Sequence, residues 1–220
     1  MTNPLYALIL AGGSGERFWP LSRRARPKQL LKLVSEKTLL EETIDRLAGL
    51  VPDERILVLT NVDQEAAMRE LLPDLPPENI LAEPAKRDTA AAVALATAWV
   101  AVRDHRATMM VLPSDHVIND RVAFQKTMQT ATRAAEETGA LITIGIKPTW
   151  ACPGFGYIEQ GAPAPLKGDS TNDVFRVVRF REKPNAELAD SFIRRDNFRW
   201  NAGMFVWSVP TVLSEFNRHA

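Results

Sequence analysis

The stretch "LILAGGSGERF", Leu8 to Phe18, constrains this chain more than any other: four apolar residues of strand length run straight into three glycines and an arginine. A strand that feeds a glycine turn near the start of a chain reads as the opening of a βαβ arrangement. In open α/β sheets, ligands bind just outside such carboxyl ends. Glycines there let backbone N–H groups approach phosphate oxygens, and a cation close by compensates the charge. The same residues also suit a tight turn that binds nothing, so the loop by itself leaves both readings open.

The rest of the chain supplies a matching frame. Apolar runs of strand length fall at Tyr6 to Ala11, Arg55 to Thr60, Ile80 to Ala82, Thr108 to Leu112 and Ala140 to Ile146. Amphipathic stretches between them predict helices at Thr38 to Leu47, Gln64 to Leu72, Thr89 to Asp104 and Ala123 to Thr138. This alternation is that of an α/β domain with a mainly parallel sheet. Thr38 and Glu41 have the spacing of a capping box, in which each side chain bonds the other's backbone, and this marks a helix start. Beyond Gly145, "GFGYIEQ", "FRVVRFREKP" and "GMFVWSV" read as short strands with "NAELADSFIRR" as a helix among them. Gly161 to Asp173, rich in Pro, Gly and polar residues, reads as an exposed excursion. A single domain over 1–220 is expected, with 1–146 as its first half and 147–220 as a substrate-binding second half.

Charge decides how an anion can be held. With 27 basic and 27 acidic residues the formal charge is zero, which gives no general pull toward nucleic acid or an anionic membrane. Any bound anion must therefore be gripped locally. The single cysteine, Cys152, excludes an internal disulfide and a Cys-rich zinc site. The first residues, "MTNPLYALILAGG", carry no basic n-region and only a short apolar run, so a cytoplasmic location is expected.

What the loop lacks narrows its ligand. It has no Gly-Lys-Ser/Thr ending, so it is not a Walker P-loop. Gly12, Gly13 and Gly15 miss the G-x-G-x-x-G spacing, and the second strand runs into Asn61 rather than an acidic residue, which disfavours a dinucleotide dehydrogenase. Arg17 and Lys28 of "RPKQ" suit a triphosphate, although Lys28 taken alone reads as a solvated surface lysine. Asp115 closes the apolar run of "VLPSDH", where a carboxylate either holds Mg²⁺ against phosphate oxygens or caps the next turn. His116 beside it is given no chemistry.

"LAGGSGERFWPLSRRARPKQ" resembles the signature of the sugar-nucleotide pyrophosphorylases, and "EPAKRDTAAAVALA", "VLPSDHVI", "GFGYIE", "FREKP" and "WNAGMFVW" follow in that family's order. The resemblance runs from Leu5 to about Phe216. It implies a Rossmann-like, mainly parallel sheet flanked by helices, of the nucleotidyltransferase type. Within the family it points to the branch that joins GTP to mannose 1-phosphate, giving GDP-mannose and pyrophosphate. The sugar-phosphate oxygen attacks the α-phosphorus and pyrophosphate leaves in line, so the protein's work is positioning and charge stabilisation.

By that resemblance Gly12, Gly13 and Gly15 wrap the nucleotide phosphates, while Arg17 and Lys28 are catalytic cations at the departing pyrophosphate. Glu83, Pro84 and Arg87 lie at the guanine edge. Gly156, Glu182 and Asn201 bind sugar hydroxyls, Lys183 binds the sugar phosphate, and Asp115 is a ligand of the cofactor Mg²⁺. The expected partners are GTP, mannose 1-phosphate and GDP-mannose, with a homodimer left open and no nucleic acid or membrane partner.

Several positions depart from the family pattern. Asp88 stands where the resemblance implies asparagine, Ala91 where it implies proline, Phe155 where tyrosine is common, and Ala202 where serine is. Family members also continue well past "GMFVWSVPTVLSEF", through a second metal-binding aspartate to a β-helical tail or a fused isomerase domain. The expectation is therefore a truncated chain with most of the nucleotide site and an incomplete metal site. Two alternatives stand beside the GTP reading: a uridylyl- or thymidylyltransferase, and a nucleotide-sugar-binding fragment without catalysis.

Overall fold

The computed structural model describes residues 3–13, 18–23, 27–85, 87–168 and 173–219. Along the chain these form β1 (Leu5–Leu10), α1 (Leu39–Asp45), β2 (Ile56–Asn61), α2 (Glu65–Leu71), β3 (Ile80–Glu83), α3 (Asp88–Arg103), β4 (Thr108–Pro113), α4 (Arg121–Thr138), β5 (Ile142–Ile146), β6 (Tyr157–Pro163), β7 (Phe175–Arg181), α5 (Ala186–Arg195), β8 (Phe198–Ser208) and α6 (Val209–His219).

The first four strands pair in parallel in the order β3-β2-β1-β4. Their near-continuous apolar runs follow from burial on both faces, as a parallel sheet covered by helices requires. Alternate residues of β1 enter different cores. Ala7 and Ile9 meet Leu40, Leu47, Met68, Phe124 and Met128 on one side of the sheet. Tyr6 and Leu8 meet Val93, Ala96, Val100, Val209 and Val212 on the other. This is the doubly covered α/β sheet expected from the alternation of elements.

Strand β8 decides the shape of the rest. Phe205 and Val206 pair antiparallel with β4 on one edge and with β5 on the other. Trp200 pairs with both β5 and β6, so β4 and β6 share a single edge of β8. Between them, around residues 201–204, that edge is a fork, with Pro113 of β4 opposite Gly203 and Gly156 ahead of β6 bonded to Asn201. Gly203 has φ +66, a left-handed conformation that glycine adopts without strain. The β6–β7 hairpin extends the sheet, and Tyr157, Phe192 and Phe198 form a small core under α5, with Phe192 stacked on Phe198 at 3.9 Å.

Three expectations need correction. Strand β8 begins at Phe198, upstream of the "GMFVWSV" run, because pairing on both edges overrides the turn-like look of Asn201-Ala202-Gly203. Strand β6 carries on to Pro163 and so takes the start of the expected excursion into a hairpin with β7. Helix α6 has no counterpart in the sequence reading; Pro210 sits in its first turn, where a missing N–H costs nothing, and Ser208 Oγ accepts the Thr211 N–H at 3.2 Å.

The capping box at α1 is present as expected. Thr38 Oγ1 accepts the Glu41 N–H at 3.2 Å and Glu41 Oε2 accepts the Thr38 N–H at 2.7 Å. Thr38→Ala removes one of these bonds and is expected to lower folding free energy by about 1 kcal/mol in urea titration. An unchanged midpoint and slope would contradict the capping role.

Candidate active site

The carboxyl ends of β1, β2, β3 and β4 converge on the turn at Ala11-Gly12-Gly13. The Ala11 N–H bonds Leu59 O at 2.7 Å, which continues the β1–β2 ladder into the turn. A Cβ at Gly12 would lie 3.5 Å from Glu83 Oε2 and 3.8 Å from the Thr60 carbonyl carbon, and one at Gly13 would lie 3.8 Å from Lys28 Cε. These are ordinary contacts, and neither glycine is among the positive-φ residues. Among the described residues, then, neither packing nor conformation demands glycine at 12 or 13. Gly15 and Arg17 lie outside the described residues.

Lys28, on a 3-10 turn at Lys28–Leu30, pairs its ammonium with the Asp115 carboxylate. Asp115 is carried there by Ser114, whose N–H and Oγ both donate to Leu10 O, at 3.3 and 2.8 Å, and tie the end of β4 to the end of β1. The two partners keep 23% and 24% of their side-chain surface exposed. The pair is part-buried, with some surface left on each partner. His116 is mostly buried. Burial pushes its imidazole below the ordinary range, Arg46 and Lys28 add to this, and Asp115 opposes it.

Glu83 ends β3 against Gly12, and desolvation holds its carboxyl above the ordinary carboxylate range. Pro84 and Arg87 follow it on the exposed connection to α3, at the same end of the sheet. Asp88 opens α3 with φ +61, a conformation that aspartate and asparagine enter more readily than other side-chain-bearing residues. The aspartate thus meets the same backbone demand that an asparagine would.

A second group gathers at the fork in the edge of β8. The Asn201 N–H bonds Gly156 O at 2.8 Å, and Asn201 Oδ1 accepts from Thr143 Oγ1 at 3.3 Å and from the Gly203 N–H at 3.0 Å. Among the described residues the Asn201 Nδ2 donor has no partner. A Cβ at Gly156 would fall 2.7 Å from Glu182 Oε2, the end of a flexible side chain that would have to shift, and 3.5 Å from Asn201 Cβ. Lys183 has φ +43, bonds Phe155 O through its N–H at 3.2 Å, and places its ammonium 3.6 Å from Glu182 Oε1. Glu182 and Lys183 remain 63% and 69% exposed, so their charges face solvent.

The structure therefore brings Gly12, Gly13, Lys28, Glu83 and Asp115 to one turn and Gly156, Glu182, Lys183 and Asn201 to one fork. Sequence reasoning missed Gln29, Asn61 and Gln64. Gln29 is fully buried and donates through Nε2 to Ala11 O at 2.5 Å and to Gln64 Oε1 at 2.9 Å. Asn61 donates through Nδ2 to Gly12 O at 3.2 Å and accepts the Gln64 N–H at 3.1 Å. Their only signal was position: Gln29 follows Lys28, and Asn61 closes the second strand.

Cys152 is buried with its backbone bonded to the Tyr157 hydroxyl, which gives it a packing role. Among the described residues no group of three or more His, Cys, Asp and Glu side chains forms a ready metal cage. No described helix is long and apolar enough to cross a membrane.

With sheet, glycine turn and fork in place, comparison with known proteins becomes informative. The nucleotidyl transferase family profile matches residues 6–220, and the chain belongs to that family. It is 40% identical over 223 residues to the mannose-1-phosphate guanylyltransferase of Sinorhizobium fredii, covering 100% of this chain and 42% of that protein. It is 38% identical over 213 residues to the mannose-1-phosphate guanylyltransferase of Klebsiella pneumoniae, covering 96% of this chain and 44% of that one. A crystal structure described as mannose-1-phosphate geranyltransferase from Thermus thermophilus superposes with a TM-score of 0.87 at 41% identity, over 98% of this chain and 60% of that one. The chain thus spans less than half the length of these two curated relatives.

The raised pKa of Glu83 carries a sign that can be tested. A carboxyl whose folded pKa exceeds its unfolded value costs stability once ionised; the cost is full above the folded pKa and absent below the unfolded one. Glu83→Gln is therefore expected to melt at a higher temperature than the parent at about pH 7, with the gap closing below about pH 4. A gap independent of pH would contradict the desolvation of this carboxyl.

Proposed function

We propose that this chain forms the nucleotidyl-transferring part of a mannose-1-phosphate guanylyltransferase, which converts GTP and mannose 1-phosphate to GDP-mannose and pyrophosphate. The observation that carries this reading is the bare backbone at Gly12 and Gly13, which no neighbour within the described residues requires. A phosphate chain laid against that turn supplies the missing reason, and the names of relatives at about 40% identity supply the substrates.

In this reading 1–146 serves the nucleotide and 147–220 the sugar. Gly12, Gly13 and Gly15 offer backbone N–H groups to the phosphates. Lys28 turns from Asp115 to the phosphate chain, where Arg17 joins it to neutralise charge as pyrophosphate leaves. Glu83, Pro84 and Arg87 meet the guanine. Asn201 Nδ2 and the Glu182 carboxylate sort the orientation of sugar hydroxyls, one as donor and one as acceptor, and Lys183 anchors the sugar phosphate as a point charge.

Asp115 suits Mg²⁺, which is commonly held by one or two carboxylates together with substrate phosphates rather than by an all-protein cage. When bound, the ion adds charge neutralisation and alignment of the phosphate oxygens. Lys28 pairs with Asp115 Oδ2, so Oδ1 is the oxygen that would be offered to the ion. The enzyme acts in the cytoplasm in this reading.

Pyrophosphate release is measured with Mg²⁺ for GTP, UTP and dTTP against mannose 1-phosphate and glucose 1-phosphate. Release with GTP and mannose 1-phosphate is expected. Preference for UTP or dTTP contradicts the reading, and binding of GDP-mannose with no turnover marks a binding fragment instead. Gly12→Ala separates site from fold: folding free energy should change by no more than about 1 kcal/mol while GTP binding is lost. Full GTP affinity in that variant would remove the phosphates from the turn.

A further inference from the structure

Two backbone carbonyls of the glycine turn are held by side chains that no substrate role explains. Gln29 Nε2 grips Ala11 O at 2.5 Å, with Thr60 Oγ1 behind it at 3.5 Å. Asn61 Nδ2 grips Gly12 O at 3.2 Å. In a trans peptide the carbonyl of one residue and the N–H of the next point in opposite directions. Holding the Ala11 carbonyl therefore aims the Gly12 N–H away from Gln29, and holding the Gly12 carbonyl aims the Gly13 N–H away from Asn61. Among the described residues neither N–H has a hydrogen-bond partner, so both are presented outward.

The clamp is braced as well as aimed. Gln64 joins its two halves: its Oε1 accepts from Gln29 at 2.9 Å and its N–H donates to Asn61 Oδ1 at 3.1 Å. That pairing fixes the Asn61 amide in one orientation, because Gly12 O can only accept and the Gln64 N–H can only donate. Gln29 Oε1 is buried without a partner among the described residues, so the side chain is kept in place by what its donor end holds. Burial of an unsatisfied acceptor is costly, and the structure tolerates it here beside the turn.

We propose that Asn61 and Gln29 are positioning residues that fix the Gly12 and Gly13 N–H groups in the direction of the nucleotide phosphates, without touching the nucleotide themselves. The inference rests on the nucleotide reading of the turn. It predicts that the loss is felt through the phosphates and not through the base. Losing the aim of an N–H that bonds a charged oxygen reduces affinity by about tenfold to a hundredfold.

Asn61 is only partly buried and is the better residue to change. Asn61→Asp keeps an acceptor for the Gln64 N–H and loses the donor to Gly12 O, but adds a charge next to Glu83 on the paired strand. Asn61→Ala loses both bonds and adds no charge. Calorimetry with GTP, and saturation-transfer NMR with guanosine, are run on the parent and both variants. The expected result is a similar fall in GTP affinity in both variants with guanosine binding unchanged. A fall in Asn61→Ala alone assigns the effect to the α2 start, one in Asn61→Asp alone assigns it to charge, and parallel loss of guanosine assigns it to general loosening; each overturns the proposal, as does full GTP affinity in both. A parent that binds neither GTP nor GDP-mannose removes the nucleotide reading and the proposal with it, a failure recognisable because it precedes any substitution.

Discussion

Strand β8 gives one of its edges to two different strands, and most of the site's geometry depends on that sharing. Its antiparallel ladder with β4 ends at Val111 and Phe205, and its ladder with β6 begins at Tyr157 and Trp200. Between the two ladders Ala202 and Met204 turn into the core, while Asn201 and Gly203 stay partly exposed near the end of β4, which leads into Ser114 and Asp115. A continuous ladder would have closed this gap. On the opposite edge β5 pairs with Asn201 and Phe205, with a shift of register between them.

At Gly156 the Glu182 carboxylate, the end of a flexible and exposed side chain, lies close to where a Cβ would be. At Gly12 and Gly13 a Cβ would meet only ordinary contacts, and the side-chain amides of Gln29 and Asn61 hold the carbonyls of Ala11 and Gly12. The Lys28–Asp115 pair complements this arrangement. This partly exposed ion pair gives each charge a partner at the end of the sheet where the glycine turn lies.

Much of the parallel half was legible in the sequence, because β1, β2 and β4 are buried on both faces and write that burial as unbroken apolar runs. The α1 cap was legible for a similar reason: Thr38 and Glu41 interact within one turn, so spacing alone carries the information. What escaped depends on distant partners. The start of β8 at Phe198 follows from pairing with β5 and β6, which no local pattern announces. Asn61 looked like the end of a strand, and its hold on Gly12, 49 residues away in sequence, exists only once β1 and β2 lie side by side. The convergence of Gly12, Lys28, Glu83 and Asp115 was reached through the family resemblance, whereas their contacts follow from the order β3-β2-β1-β4.

The proposed reading puts nucleotide and sugar phosphate in two places, the first on the glycine turn and the second at the fork. Backbone amide shifts of ¹⁵N-labelled protein test it most directly, with GTP and mannose 1-phosphate titrated separately. The account predicts that GTP moves the Gly12 and Gly13 amides while mannose 1-phosphate moves those of Gly156, Asn201 and Gly203. Shifts from both ligands on the same set of amides, or from GTP at the fork and not at the turn, would contradict it.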